Sequence, residues 1–279
     1  MSTRSVLSLI GFLGAVAASA HADVLLTRSS KFEGRVLRVS KDAAIIRTSD
    51  AELSIPLAEI VREDIPVPQE FKDGVAAMRA GDYDEAVAKF RPLVERFAGL
   101  RTGWIPASML RLGDAYLAQR DTNNARKTYT DFQNIYAKTP EAVAMLDVKF
   151  AQLEASQKKF TEAMAKVKPV LEGLLKKTYL TDSEEMLLSQ ALVLQGDCLL
   201  ADNKKEPALD SFLRVVTLYD IDPSYNREAL YKAGKIFEGL GNWQRARDCY
   251  RDLLADAPTV AFADDAKKRL DAITQAHPE

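Results

Sequence analysis

The spacing of hydrophobic residues divides the chain into a short N-terminal part and a long C-terminal part. Short β-rich runs fill residues 23–66 and are separated by small polar turns; they are Val24–Leu26, Phe32–Val39, Ala43–Thr48 and Leu53–Leu57. From residue 69 onward, apolar residues recur every three or four positions, which predicts amphipathic helices. The expected fold class is therefore mainly α, with a small all-β domain in front.

The helical pattern is clearest in residues 226–258. Leu230, Ala233 and Phe237 form one apolar stripe, and Gly241-Asn242 then interrupts it before a second stripe begins at Trp243. Two short amphipathic helices cannot bury both stripes by themselves. They have to stack on further copies of the same unit, so the pattern predicts a helical repeat.

Each further copy of this unit can be located by the small residue in its second helix. These residues are separated by 38 to 45 positions, and they are Ala86, Ala125, Ala163, Ala208 and Ala246. The longest spacing contains Lys176–Ser183, where we expect a larger loop or longer helices. Pro92 and Pro169 occupy the same place late in two second helices and predict a shared kink. The run Ala261–Ile273 predicts one more amphipathic helix.

The unit resembles the tetratricopeptide repeat (TPR). That family has a glycine and an aromatic residue in the first helix, and an alanine, an aromatic residue and a closing proline later; here Gly234, Ala246, Tyr250 and Pro258 match. The resemblance implies a TPR-type α-solenoid of antiparallel helix pairs. It implies about five units over residues 69–258, followed by a capping helix and tail over residues 259–279.

Residues 23–66 resemble a small Sm-like or SH3-like β-barrel. Gly34 lies where such barrels bend their second strand, and an Ile-Pro-Leu-Ala-Glu-Ile segment follows at Ile55–Ile60. The seven basic and eight acidic residues between Asp23 and Asp64 nearly cancel, and Phe32 is the only aromatic residue. We therefore expect a packing or self-association module here, with no nucleic acid partner. Residues 65–68 read as a short stiff linker.

Residues 1–22 have the pattern of a secretory signal peptide. Arg4 precedes an apolar run, Val6–Ala18, and the segment ends in Ala20-His21-Ala22. We expect export across the inner membrane to a bacterial periplasm, with cleavage after Ala22. Cleavage after Ala20 and retention as an uncleaved anchor are the alternatives. The apolar run is short for a membrane span, and no second one follows.

The residues that usually carry catalysis are scarce. The two histidines are His21 and His277, so no histidine lies within the predicted fold for a triad, a general base or a zinc site. The sequence therefore predicts a non-enzymatic protein with no catalytic, metal-binding or cofactor-binding residues. Cys198 and Cys249 fall in helices that are not nearest neighbours of a TPR stack, and we expect two buried free thiols.

The resemblance also implies where a partner binds. In TPR proteins the first helices line a concave groove, and the positions carried over from the family are Leu110, Asp114, Leu117, Val193, Asp197, Leu200, Glu228, Tyr231, Lys235 and Glu238. For Leu110, Leu117 and Val193, packing between helices is an equally good interpretation. The chain resembles bacterial envelope TPR proteins, which implies an adaptor or scaffold for another envelope protein or peptide. The alternatives are an oligomeric structural protein assembled through the barrel, and an enzyme or ligand carrier.

Overall fold

The structure is a computed structural model that describes residues 22–218, 223–256 and 262–278. The predicted signal peptide up to residue 21 lies outside these ranges, as do Pro258 and the first residues of the predicted capping segment.

Five short strands form one antiparallel sheet at the N-terminus. They are β1 Asp23–Thr27, β2 Lys31–Ser40, β3 Ala43–Arg47, β4 Glu52–Pro56 and β5 Ile60–Asp64. The order in the sheet is β4-β3-β2-β1-β5, and a 3-10 turn at Leu57–Glu59 joins β4 to β5. Gly34 lies directly against the carbonyl oxygen of Arg47, where a Cβ atom has no room. The five-stranded β domain is thus confirmed, and its similarity to Sm-like barrels stays a prediction.

The remaining described residues form five helix pairs and a last single helix. The helices are α1 Gln69–Ala80, α2 Tyr83–Phe97, α3 Trp104–Ala118, α4 Thr122–Tyr136, α5 Pro140–Ser156, α6 Phe160–Leu175, α7 Asp182–Ala201, α8 Lys205–Leu218, α9 Pro223–Gly239, α10 Trp243–Asp256 and α11 Ala263–Ala276. Each helix packs against the next, and α5 contacts α7, which contacts α9. The predicted solenoid of antiparallel pairs is therefore confirmed.

Within a pair, a small residue of the first helix faces a ring of the second helix sixteen positions later. At four glycines an added Cβ atom would come closer than 3.0 Å to that ring; the pairs are Gly74–Phe90, Gly113–Tyr129, Gly196–Phe212 and Gly234–Tyr250. In the third unit, Ala151 and Val167 occupy the corresponding positions, and both are fully buried. The close approach of the helix axes thus depends on matched residues of small and large volume.

Helix lengths explain the uneven spacing of the repeats. Helix α7 contains 20 residues and α3 contains 15, whereas six residues connect α6 to α7 and also α2 to α3, so the longer helix accounts for most of the wide spacing. Pro92 and Pro169 lie inside α2 and α6, which both continue past the proline. Both prolines are exposed. The shared kink stays a prediction.

The sheet shares one hydrophobic core with α2 and α3. Leu25, Val36 and Ile46 of the sheet belong to the same buried cluster as Phe97 and Trp104. The indole Nε1 of Trp104 donates a hydrogen bond of 3.1 Å to the carbonyl oxygen of Ile65, in the predicted linker. The linker is thus anchored at its first residue, and the sheet is packed against the N-terminal end of the helical stack.

Candidate peptide-binding groove

The first helices of the five pairs line an open cavity with a volume of about 990 Å³, which we call the groove. Each first helix contributes to it: Met78 from α1, Asp114 from α3, Gln152 from α5, Val193 from α7 and Glu228 from α9. Because consecutive first helices lie side by side in the stack, residues far apart in the sequence meet on one wall.

Six of the ten residues carried over from the family line this groove. They are Asp114, Leu117, Val193, Asp197, Leu200 and Glu228. Leu110 lies outside it and packs, partly buried, against the core of the first and second units.

The other three residues, Tyr231, Lys235 and Glu238, lie in the part of α9 that is next to α11. The hydroxyl of Tyr231 donates a hydrogen bond of 2.5 Å to Asp265, and its ring stacks on Phe262 with the centroids 4.7 Å apart. Lys235 lies over the ring of Tyr231. These side chains therefore stabilise the contact between the last pair and α11, away from the groove.

Glu238 has a similar position. Its Oε2 accepts hydrogen bonds from the hydroxyl of Tyr250 at 2.8 Å and from Nη1 of Arg269 in α11 at 3.1 Å. Tyr231 and Glu238 of the fifth unit thus contact α11, which packs where a further first helix would lie, whereas Lys235 is exposed beside Tyr231 and Glu228 lines the groove. Sequence reasoning placed Tyr231, Lys235 and Glu238 on the groove because it had no measure of how closely α11 approaches.

Two acidic groove residues, Asp114 and Asp197, each form an ion pair with a lysine from the next unit. Asp114 accepts a hydrogen bond from Nζ of Lys149 at 2.9 Å and another from the hydroxyl of Tyr129 at 2.7 Å. Asp197 accepts one from Nζ of Lys232 at 2.7 Å. Both lysines follow their aspartate by 35 positions. These ion pairs link successive units and neutralise part of the charge of the wall.

Burial controls the electrostatics of this wall. The loss of hydration raises the pKa of the Tyr129 hydroxyl well above its ordinary value, and the nearby Asp114 carboxylate raises it further. Burial also raises the pKa of Asp197, although the ammonium group of Lys232 opposes this effect. The groove therefore holds charges in a partly desolvated setting, where a ligand charge of the wrong sign is costly.

The charges at one end of the groove do not balance. Lys232 also donates a hydrogen bond of 2.6 Å to Oε1 of Glu228. Two carboxylates, Asp197 and Glu228, therefore share a single ammonium group. Their side chains stay 35% and 30% exposed, so they remain accessible from the groove.

Gln190 is a groove residue that sequence reasoning missed. It lies on α7 and is only 8% exposed, yet its Oε1 has no hydrogen-bond partner among the residues that the structure describes. The family positions carried over begin one turn later, at Val193. The available signal was the polar pair Ser189-Gln190 inside the otherwise apolar run Leu187–Leu194, with Gln190 seven positions before Asp197 and therefore on the same face of the helix.

The two cysteine thiols and His277 do not form a reactive centre. Cys198 and Cys249 are free and buried, which confirms the predicted free thiols. Burial raises their pKa to about 11 and about 12 and keeps them protonated at neutral pH. The ring of His277 stacks on Trp243.

Two further features are absent from the residues that the structure describes. Within 22–218, 223–256 and 262–278, no cluster of three or more histidine, cysteine or acidic residues is placed to hold a metal ion. No helix in these ranges is both long and apolar enough to cross a membrane.

Comparison with known proteins identifies the repeat. Family models described as tetratricopeptide repeat match residues 71–145 and 228–259. Among solved structures, the chain is similar to TTC0263, a thermophilic TPR protein of Thermus thermophilus. The two share 14% identity with a TM-score of 0.52, over 74% of this chain and 98% of that one. The helical fold is therefore that of a TPR protein.

Two further solved structures have lower TM-scores. The pilF protein of Pseudomonas aeruginosa is 15% identical over 75% of this chain and 91% of its own, with a TM-score of 0.45. BtubC from P. vanneervenii is 18% identical over 74% and 80%, also with a TM-score of 0.45. No curated protein matches the chain in sequence. The chain thus contains tetratricopeptide repeats, a fold that typically serves as a non-enzymatic scaffold for protein–protein interaction.

Proposed function

We propose that this protein is an exported, non-enzymatic adaptor of the bacterial cell envelope, which holds a segment of another protein in the groove. The observation that carries the proposal is a single cavity reached by the first helices of all five pairs. A surface built from the same face of successive repeats matches the usual binding surface of solenoid proteins.

The dimensions of the groove suit a polypeptide. Adjacent helices pack about 10 Å apart, so four steps between first helices correspond to a wall of roughly 40 Å. An extended chain advances about 3.3 Å per residue, so such a wall accommodates about twelve residues. The apolar side chains of Leu117, Val193 and Leu200 can bury hydrophobic residues of the segment, while Gln152 and Ser156 offer hydrogen bonds to its backbone.

A pull-down from periplasmic extract tests this function. Leu117→Arg and Leu200→Arg each place a long charged side chain in the groove and should abolish recovery of the partner. Leu218→Arg is the matched control, because Leu218 lies on the second helix α8 and is already 63% exposed. Recovery of the same partners by all three variants would contradict binding in the groove.

Export is supported by the charged, apolar and small-residue segments of residues 1–22. The test is mass spectrometry of the N-terminal peptide of the protein in fractionated cells. We expect a periplasmic protein that begins at Asp23. A protein that retains Met1 and is recovered from the cytosolic fraction would contradict export.

A further inference from the structure

Gln190 has an unmet hydrogen-bonding capacity in the wall of the groove. A buried amide oxygen without a partner destabilises a protein, and native structures contain few such atoms. Turning the amide around would bury the nitrogen in the same place, so either orientation leaves a polar end to be satisfied. A backbone amide of a bound segment carries both the donor and the acceptor that could satisfy it.

The excess negative charge lies on the same face of the groove. Asp197 follows Gln190 by seven positions on α7, which is two turns and about 10 Å along the helix. Glu228 lies across from it on α9, and the two carboxylates share Lys232. Among the described residues between α7 and α9, this cluster therefore carries two carboxylates and one ammonium group, an excess of one negative charge.

We propose that the groove selects a polypeptide segment with a lysine or arginine side chain, which binds between Asp197 and Glu228 while Gln190 hydrogen-bonds the backbone of the segment. This inference rests on the proposed function, because it describes the ligand of the same groove. Val193 and Leu194 lie between the two polar contacts and form the apolar floor of the groove there.

The lysines of the wall do not favour an acidic ligand. Lys149 is buried against Asp114, and Lys232 already bonds two carboxylates. A carboxylate in the groove would therefore face Asp197 and Glu228, while both of these lysines are already paired with acidic side chains. Like charges in a partly desolvated site repel, which adds discrimination against acidic segments.

The first experiment is selection of random twelve-residue peptides displayed on phage against the purified full chain. The peptides that are enriched should contain lysine or arginine more often than the input library, and aspartate or glutamate less often. The best peptide is then synthesised with a fluorescent label, and its affinity is measured by anisotropy. Replacing its basic residue with norleucine should weaken binding about ten-fold, as expected for a lost charge-assisted hydrogen bond.

Variants of the protein then locate the contact. Glu228→Gln removes the excess charge and leaves the Asp197–Lys232 pair intact, so it should fold normally and bind the basic peptide about ten-fold more weakly. The norleucine peptide should bind Glu228→Gln and the wild type equally well. Asp210→Asn is the matched control, because Asp210 pairs with Arg214 on the exposed side of α8. It should leave the affinity unchanged.

Gln190→Leu separates ligand binding from a structural role. This variant removes a buried polar atom without a partner, so it should be at least as stable as the wild type. It should nevertheless bind the selected peptide about five-fold more weakly, as expected for one lost hydrogen bond. Gln133→Leu, on the exposed side of α4, is the control. A stable Gln190→Leu protein with wild-type affinity would overturn the role of Gln190.

The outcomes distinguish this inference from the proposed function. If no peptide is enriched, or if Leu117→Arg and Leu200→Arg bind the selected peptides normally, the groove is not a peptide site and both proposals fail. If peptides bind in the groove without a basic residue, or tolerate norleucine, the proposed function stands and the selectivity for a positive charge is wrong.

Discussion

A Cβ atom added at Gly234 would lie 2.6 Å from Cε1 of Tyr250, well inside the distance at which carbon atoms repel. The ring of Tyr250 is fully buried, and its hydroxyl donates a hydrogen bond to Glu238. The ring therefore cannot move aside easily. The same relationship recurs in three other pairs, so the stack depends on a contact that tolerates only glycine in the first helix.

The first prediction is that Gly234→Ala destabilises the fold. Overpacking against Tyr250 should lower the free energy of unfolding by about 1–3 kcal/mol. This loss exceeds the gain of up to about 1 kcal/mol that alanine brings to a helix. Gly173→Ala is the matched control, because Gly173 lies inside α6 with no atom within 4 Å of an added Cβ. It should raise stability, and urea unfolding measures both variants. A stabilised Gly234→Ala protein would contradict the packing.

The second prediction concerns the third pair, where Ala151 and Val167 replace glycine and an aromatic residue. Val167→Phe alone should lower the free energy of unfolding by about 1–3 kcal/mol, because the larger ring meets the Cβ atom of Ala151. The double variant Ala151→Gly/Val167→Phe should recover part of that loss. A double-mutant cycle measured by urea unfolding gives the interaction free energy between positions 151 and 167. Additive effects would show that the two positions do not contact each other.

The third prediction tests the connection between the sheet and the helices. Trp104→Phe removes the hydrogen bond to the carbonyl oxygen of Ile65 and leaves that buried oxygen unpaired, which should cost about 1–3 kcal/mol. Hydrogen exchange should become faster in β2 as well as in α3, since they share a core. Trp243→Phe, at the other end of the stack, is the control. Unchanged exchange in β2 of Trp104→Phe would indicate independent domains.

The fourth prediction concerns acid stability. The ammonium group of Lys177, with the backbone N–H of Thr181, lowers the pKa of Glu184 from 4.5 to about 2. Because the folded pKa lies below the unfolded one, Glu184 stabilises the protein above pH 4.5, and this contribution is lost as the pH falls from 4.5 to about 2. Glu184→Gln should therefore flatten the fall in stability over that range.

Glutamine at position 184 can keep the capping interaction with Thr181, so the variant removes mainly the charge. Glu185→Gln is the control for removing a carboxylate from the same turn of α7. Thermal unfolding followed by circular dichroism between pH 2 and 5 gives the change in stability with pH for each variant. The same pH dependence of stability in Glu184→Gln and Glu185→Gln would contradict the role of Glu184.

The pairing of helices could be predicted from the sequence because it depends on local patterns. Apolar periodicity indicates where each helix lies, and the sixteen-residue spacing of Gly234 and Tyr250 recurs in the other units. The short β-rich runs equally marked four of the five strands, β1 to β4, but none of the runs covered β5. These features require information from only about forty residues at a time.

The contacts between distant segments could not be predicted. The hydrogen bond from Trp104 to Ile65 depends on how the sheet lies against the stack. The surroundings of Tyr231, Lys235 and Glu238 depend on where α11 packs. The hydrophobic periodicity of the sequence does not reveal that position. Gln190 was missed because a buried, unpartnered amide becomes apparent only when its surroundings are known.

The most direct test of the groove is site-specific photocrosslinking in the cells that produce the protein. A photoreactive phenylalanine at position 152 lies in the groove, whereas one at position 172 lies on the exposed side of α6. We predict a discrete adduct with a second protein from position 152 and none from position 172. Adducts from position 172 alone, or the same adducts from both positions, would contradict a partner bound in the groove.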